Sequence, residues 1–226
     1  ALQIRIIKKL EEIDGGSSFR VDDWEREEGG GGITGVLEDG EVFEKAGVNT
    51  SAVHGPLPDR AARALEVEET EFFATGISIV IHPRSPYVPS VHANFRYFAL
   101  GDDLFNPADA WFGGGADLTP HYPYLEDVKH FHRIWKDVCD DHDVADYDAY
   151  KRACDEFFYL DHRGEARGVG GIFFDYVREK AEPTFFFVRQ AGRAFLRSYL
   201  PIVERRRDES YGPQERRYQN IRRGRY

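Results

Sequence analysis

Two apolar segments near the middle of the chain carry polar side chains that are suited to chemistry. Successive side chains of a β-strand point to opposite faces. Ser78 and His82 would therefore share one face of a first strand, and His92, Asn94 and Arg96 would share one face of a second. A strand face turned to bulk solvent usually carries Lys, Glu and Thr instead. The pattern predicts a β-hairpin, residues 76–98, whose polar face forms a site.

Three of the polar residues suggest specific roles. Arg96 on an internal strand needs an anionic partner, because a buried guanidinium without one is costly. That partner is either a protein carboxylate, with Asp117 as the candidate, or a carboxylate of the substrate. His92 is suited to proton transfer near neutral pH. Asp117 follows three glycines at a predicted strand end, so we expect it to be openly accessible; a turn-forming role is the alternative.

Four histidines form a second candidate group. They are His82, His92, His132 and His162. Imidazole nitrogens bind divalent metals, so a metal site is one interpretation. The spacing matches no established metal motif, and hydrogen-bonded histidines at the edge of the core are the alternative.

The order of the predicted elements indicates the fold class. Hairpins dominate the first half, and amphipathic helices are concentrated in the second, which favours an α+β fold with helices packed on an antiparallel sheet. No linker or repeat divides residues 1–226, so we expect a single domain. The glycine run Gly29–Gly32 lacks the residues of a phosphate-binding loop and is interpreted as a flexible turn.

Composition excludes several classes of protein. The 226 residues are 41% hydrophobic and carry a formal charge of −10, which argues against nucleic acid or an anionic membrane as the main partner. No apolar run approaches the roughly 20 residues of a membrane helix. We interpret five arginines mainly as surface charge, with a minor role in guiding a polyanionic ligand: Arg163, Arg167, Arg222, Arg223 and Arg225.

Several longer segments resemble one enzyme family. They are residues 24–32, 42–49, 76–98, 111–120, 162–165, 170–175 and 222–226. Together they follow the chain almost from end to end and closely resemble the oxygen-dependent coproporphyrinogen III oxidases of haem biosynthesis. The resemblance implies a large antiparallel sheet flanked by helices on both faces and a homodimer. It also implies conversion of coproporphyrinogen III to protoporphyrinogen IX by oxidative decarboxylation, with O₂ as co-substrate and no organic cofactor.

The resemblance also implies residue roles. His92 matches the family's proton donor, and Ser78 and residues 94–96 (Asn94, Phe95 and Arg96) match substrate-binding positions. Asp117 matches a catalytic acidic residue. His82, His92, His132 and His162 match histidines proposed to hold a divalent metal in bacterial members.

Other expectations concern the whole protein. We expect a C-terminal part of the family's domain to follow Tyr226. A cytoplasmic location is expected, with the mitochondrial intermembrane space as the alternative for a eukaryotic protein. Two other functions remain open: a metal-dependent oxygenase or hydrolase built on the histidines, and a non-catalytic tetrapyrrole-binding module.

Overall fold

The computed structural model describes residues 1–68, 70–101, 103 and 107–224. Arg225 and Tyr226, part of the last segment of the family resemblance, lie outside the described residues. The helices are α1 (Leu2–Asp14), α2 (Asp59–Leu65), α3 (Leu125–Asp140), α4 (Tyr147–Phe157), α5 (Ala181–Arg206) and α6 (Pro213–Arg222). The strands are β1 (Arg20–Glu25), β2 (Gly30–Glu38), β3 (Phe43–Pro56), β4 (Glu71–Pro83), β5 (Ser90–Leu100), β6 (Asp109–Thr119), β7 (Tyr159–Leu160), β8 (Glu165–Ala166) and β9 (Gly170–Val177).

A seven-stranded antiparallel sheet organises the molecule. Its strand order is β1-β2-β3-β4-β5-β6-β9, and β7 and β8 form a separate small hairpin. Strands β1 to β6 pair with their neighbours in sequence, as expected when short connections join antiparallel strands. The helices α3 and α4 and the β7-β8 hairpin are inserted between β6 and β9. The predicted α+β class is confirmed.

One face of the sheet carries the main hydrophobic core. Ile77, Ile79 and Ile81 of β4 are buried there, together with side chains of α1, α3 and α5 such as Leu10 and Trp135. This burial explains why the three isoleucines occupy alternate positions: a strand covered on one face places these apolar side chains toward the helices. Core packing thereby determines the direction in which the polar side chains of β4 and β5 point.

The opposite face is covered at one end by α2. A smaller cluster there joins Phe72, Leu100 and Trp111 with partly buried side chains of α2, such as Leu65. Helices therefore lie on both faces, as the family resemblance implies, although α1, α3 and α5 share one face. The part of this opposite face beyond the cluster carries the polar side chains of the hairpin.

The glycine run forms the expected turn only in part. Gly29 lies in the turn between β1 and β2, with a φ of 128°, whereas Gly30, Gly31 and Gly32 begin strand β2. A Cβ atom on Gly32 would lie 2.5 Å from the ring of Trp24, and one on Gly31 would lie 2.3 Å from the carbonyl oxygen of Trp24. Glycine is required here because strand β1 packs closely against the run, a contact that local sequence does not reveal.

In the described part of the chain, no helix combines the length and the apolar character needed to cross a membrane.

Candidate active site

The candidate site lies on the sheet face opposite the main core. Cross-strand pairing places Ser78 beside Asn94, and Asn94 beside Gly115. His92 is paired with Asp117 in the same way. Directly opposed residues of neighbouring strands share a face. The predicted polar face of the hairpin is therefore present, and it extends across β4, β5 and β6.

Arg96 is held in place by two polar neighbours. Its Nη2 donates to Oδ2 of Asp175 at 2.7 Å, and its Nη1 donates to Oδ1 of Asn94 at 2.9 Å. The suggested partner was Asp117, and this expectation is wrong. Asp175 belongs to β9, on the far side of β6, so its approach to Arg96 depends on the strand order of the sheet. A guanidinium has five N–H donors, so these bonds leave others for a ligand.

Asp117 is buried, with 3% of the residue exposed. The expectation of open access is therefore wrong. Arg167 approaches from the loop between β8 and β9, and its Nη2 donates to Oδ2 of Asp117 at 2.8 Å. The guanidinium of Arg167 also lies over the ring of Phe158, 3.8 Å from its centroid. This arginine stabilises a carboxylate that would otherwise be costly to bury.

His92 lies between Asp117 and the open part of the face. Its Nδ1 is 3.5 Å from Oδ2 of Asp117, which is a suitable distance for an ion pair but too long for a normal hydrogen bond. Nδ1 is buried without a hydrogen-bond partner, whereas 27% of the side chain is exposed. The exposed part of the ring thus lies away from Nδ1. The buried carboxylate of Asp117 therefore lies between two partly exposed side chains, those of Arg167 and His92.

The structure does not assemble the four predicted metal-binding histidines. His82 and His92 are neighbours, with ring centroids 5.9 Å apart. His162 is exposed in the turn between β7 and β8, and His132 lies on α3. Among the described residues, no group of three or more His, Cys, Asp or Glu side chains is arranged to hold a metal ion. The donor set therefore does not fit the metal centre that the resemblance implies.

His132 instead makes two structural hydrogen bonds. Its Nε2 lies 2.9 Å from the carbonyl oxygen of Val169, and its Nδ1 lies 2.9 Å from the hydroxyl of Tyr147. Because a carbonyl only accepts, Nε2 carries the proton and Nδ1 accepts from the tyrosine. Burial lowers the pKa of His132, despite the opposing effect of the bond to Val169. This neutral imidazole ties α3 and the start of α4 to the entry of β9.

Phe95 is separated from the other predicted substrate-binding residues. It faces the main core, where its ring centroid is 6.2 Å from that of Trp135. The alternation of the strand places it on the face opposite Asn94 and Arg96. The structure therefore brings Ser78, Asn94 and Arg96 together and leaves the side chain of Phe95 outside this group.

A cavity of about 1270 Å³ lies at the ends of α1 and α5. Ile77, Tyr97 and Phe112 line it, and all three belong to the core-bearing face. Phe95 and Arg96 also belong to its lining, whereas Ser78, His92 and Asp117 do not. We assign the chemistry to the polar face, because that face brings together the ionisable side chains.

Comparison with known proteins identifies the family. The family model described as coproporphyrinogen III oxidase matches residues 1–226. The chain belongs to the coproporphyrinogen III oxidase family. The oxygen-dependent coproporphyrinogen-III oxidase of Prochlorococcus marinus (strain MIT 9313) is 47% identical, over all of this chain and 71% of that protein. The mitochondrial enzymes of Rattus norvegicus and Homo sapiens are 48% and 47% identical, over 99% of this chain. The chain spans about half the length of these two relatives, 53% and 51%.

Sequence reasoning about this oxidase-family chain missed three side chains near the site. Arg167 was grouped with surface charge, and Asp175 received no role although it ends the apolar run of β9. His121, which follows β6, was also missed; burial and the nearby charges of Arg223 and Arg222 lower its pKa to about 3. A polar residue within or directly after an apolar strand indicates that its side chain is buried, but the sequence does not identify the residue that it contacts.

Proposed function

We propose that this protein catalyses the oxygen-dependent oxidative decarboxylation of coproporphyrinogen III to protoporphyrinogen IX. Family membership supports the choice of reaction. The observation that carries the proposal is the presence, on one sheet face, of an oriented guanidinium at Arg96 and of a histidine backed by the Asp117–Arg167 pair. The reaction requires both functions, a site for a carboxylate and a group that handles protons.

The chemistry balances with oxygen as the oxidant. Coproporphyrinogen III and two O₂ give protoporphyrinogen IX, two CO₂ and two H₂O₂. At each reacting propionate, the methylene attached to the pyrrole loses a hydrogen with its electron pair, and the bond to the carboxylate breaks. The electron pair of that bond becomes the second bond of the vinyl group. O₂ takes up the hydrogen and its electron pair, and one further proton completes H₂O₂.

The geometry supports separate roles for the two groups. Arg96 binds the propionate that is lost, because its remaining N–H donors suit a carboxylate. His92 supplies or accepts protons at its exposed ring edge, since Asp117 is too deeply buried to meet a substrate directly. Asp117 lies 3.5 Å from Nδ1 of His92 and is itself held by Arg167 at 2.8 Å, so that this carboxylate positions the imidazole. Ser78 and Asn94 offer hydrogen bonds beside this pair.

The proposal also covers the co-substrate, the metal and the oligomeric state. Oxygen is the co-substrate, and the residues present assign no step to a metal. A homodimer is proposed from the family resemblance.

An assay of coproporphyrinogen III in air and under nitrogen tests the proposal. We expect CO₂ and protoporphyrinogen IX in air and neither product under nitrogen, with porphyrins separated after chemical oxidation. Tight tetrapyrrole binding without CO₂ release would instead indicate a binding module. Activity that persists without O₂ but is lost on chelation would favour a metal-dependent enzyme of another type.

The Arg96→Ala variant tests the role of the guanidinium. We expect a fall in kcat/KM of about 10²-fold or more, because an oriented charged contact is lost. Thermal unfolding should change little, since the Arg96 side chain is 37% exposed. Arg178→Ala is the matched control, because Arg178 also pairs with an aspartate, Asp109, but near the rim of the sheet. Equal activity of both variants would refute the role.

A further inference from the structure

Strand β9 contains a bulge opposite the site. Phe112 of β6 pairs with Val177, and Gly114 pairs with Phe174, so the single residue Gly113 faces both Asp175 and Tyr176. Tyr176 has a φ of 54°, a left-handed conformation that is uncommon for an aromatic residue. Bulges bend a strand and redirect its side chains.

The bulge places two consecutive side chains on the same face. Asp175 reaches Arg96, and the ring of Tyr176 stacks on Trp111 with centroids 5.2 Å apart. Val177 then returns to the main core. In a regular strand, Asp175 and Tyr176 would point to opposite faces. Alternation after the buried Phe174 already places Asp175 on the face of Arg96, and the bulge turns Tyr176 to the same face, beside Asp175.

Gly113 makes room for this contact. A Cβ atom at Gly113 would lie 2.4 Å from Oδ1 of Asp175 and 2.9 Å from Nε of Arg96. The ion pair therefore rests directly on the backbone of β6. With Asn94 holding Nη1 and Asp175 holding Nη2, the guanidinium has a fixed orientation and a balanced charge before any substrate binds.

We propose that Asp175 is a positioning residue that weakens the hold of Arg96 on the propionate that is lost. This inference rests on the proposed function. Decarboxylation converts a carboxylate into neutral CO₂, so an unbalanced guanidinium would stabilise the substrate more than the transition state. Asp175 orients Arg96 and offsets part of its charge. It also remains as a counter-ion when CO₂ departs, so that Arg96 is not left unpaired.

The Asp175→Asn variant separates this role from simple structural support. Asparagine keeps the shape and one acceptor oxygen but removes the charge. We expect KM to fall about threefold and kcat to fall about tenfold, the pattern of a site that binds its substrate too well. Binding of coproporphyrin III, an oxidised tetracarboxylate that is not a substrate, should tighten about threefold and become more sensitive to salt. Fluorescence titration of the full-length protein measures it.

Controls make the outcomes distinct. Asp109→Asn removes the carboxylate of the other Arg–Asp pair and should leave both kinetic constants unchanged. If Asp175→Asn does not fold, Asp175→Ser provides the same loss of charge with a smaller side chain. A raised KM with weaker coproporphyrin binding, or unchanged constants, would overturn the inference while leaving the function intact. A fully active Arg96→Ala variant would also overturn the inference, whereas failure of the proposed function would appear separately, as wild-type protein without aerobic CO₂ release.

Discussion

Replacement of Asp117 by asparagine is the most direct test of the His92–Asp117–Arg167 chain. The substitution keeps the size of the side chain and removes its charge. Arg167 then loses the carboxylate that it binds at 2.8 Å, and His92 loses the negative charge 3.5 Å from its Nδ1. Stability and catalysis should therefore respond to different degrees.

The expected loss of stability is moderate. A hydrogen bond to a charged group contributes about 1.5–3 kcal/mol. The lower part of this range is expected, because the Arg167 side chain is 29% exposed and keeps its contact with the ring of Phe158. We predict a decrease of roughly 2 kcal/mol in the free energy of unfolding.

The expected loss of activity is larger. General acid–base catalysis typically contributes about 10²–10⁴-fold to the rate. Without the charge of Asp117, His92 loses the ion-pair partner that lies 3.5 Å from its Nδ1, so we predict a fall in kcat of at least about 10²-fold, equivalent to about 2.7 kcal/mol.

The assay compares steady-state kinetics with urea unfolding at the same pH. Thr119→Val is the control, because the Thr119 hydroxyl makes only a long contact, 3.4 Å, with Oδ2 of Asp117. It should change the free energy of unfolding by less than about 0.5 kcal/mol and leave kcat nearly unchanged. An Asp117→Asn protein with reduced stability but wild-type kcat would show that the carboxylate is structural, which would refute our reasoning.

The remaining predictions concern stability and the histidines. Burial by itself raises the pKa of Asp14, but bonds from backbone N–H groups, led by those of Phe43 and Val42, hold this pKa below its usual value. Asp14 therefore stabilises the fold above about pH 4 and loses this contribution as the pH falls through its folded-state pKa. Asp14→Asn should cost about 3 kcal/mol at pH 7 and progressively less in acid, measured by urea unfolding; a pH-independent difference would contradict this. His132→Phe should cost about 2 kcal/mol through the unpaired carbonyl of Val169 and leave the metal content unchanged by elemental analysis. Loss of a stoichiometric metal in this variant would restore the metal-site interpretation.

The sequence was sufficient to predict the hairpin and its two faces. Alternation in residues 76–98 depends on local backbone geometry, which is the same in every β-strand. The amphipathic periodicity of α3 and α4 is local in the same sense, and the order of hairpins before helices was sufficient for the α+β class. These features require no knowledge of distant contacts.

Sequence patterns could not predict the ion pairs between residues that are far apart along the chain. Arg96 and Asp175 are 79 residues apart, and Asp117 and Arg167 are 50 residues apart. The choice of partner depends on the insertion of two helices between β6 and β9, which brings β9 beside β6 in the sheet. Pairing with distant residues also explains why Gly30–Gly32 form a strand. It likewise explains why His132 and His162 lie apart from the neighbouring pair His82 and His92.

The sequence by itself determined which side chains line one face of the hairpin, because alternation along a strand is a local property. Tertiary structure alone decided how these side chains are paired. The carboxylates that pair with Arg96 and Arg167 belong to β9 and β6, which become neighbours only when the sheet is assembled. Burial then determines which of the ionised side chains needs a partner. The chemistry of the site therefore depends on contacts that form only when the sheet is complete.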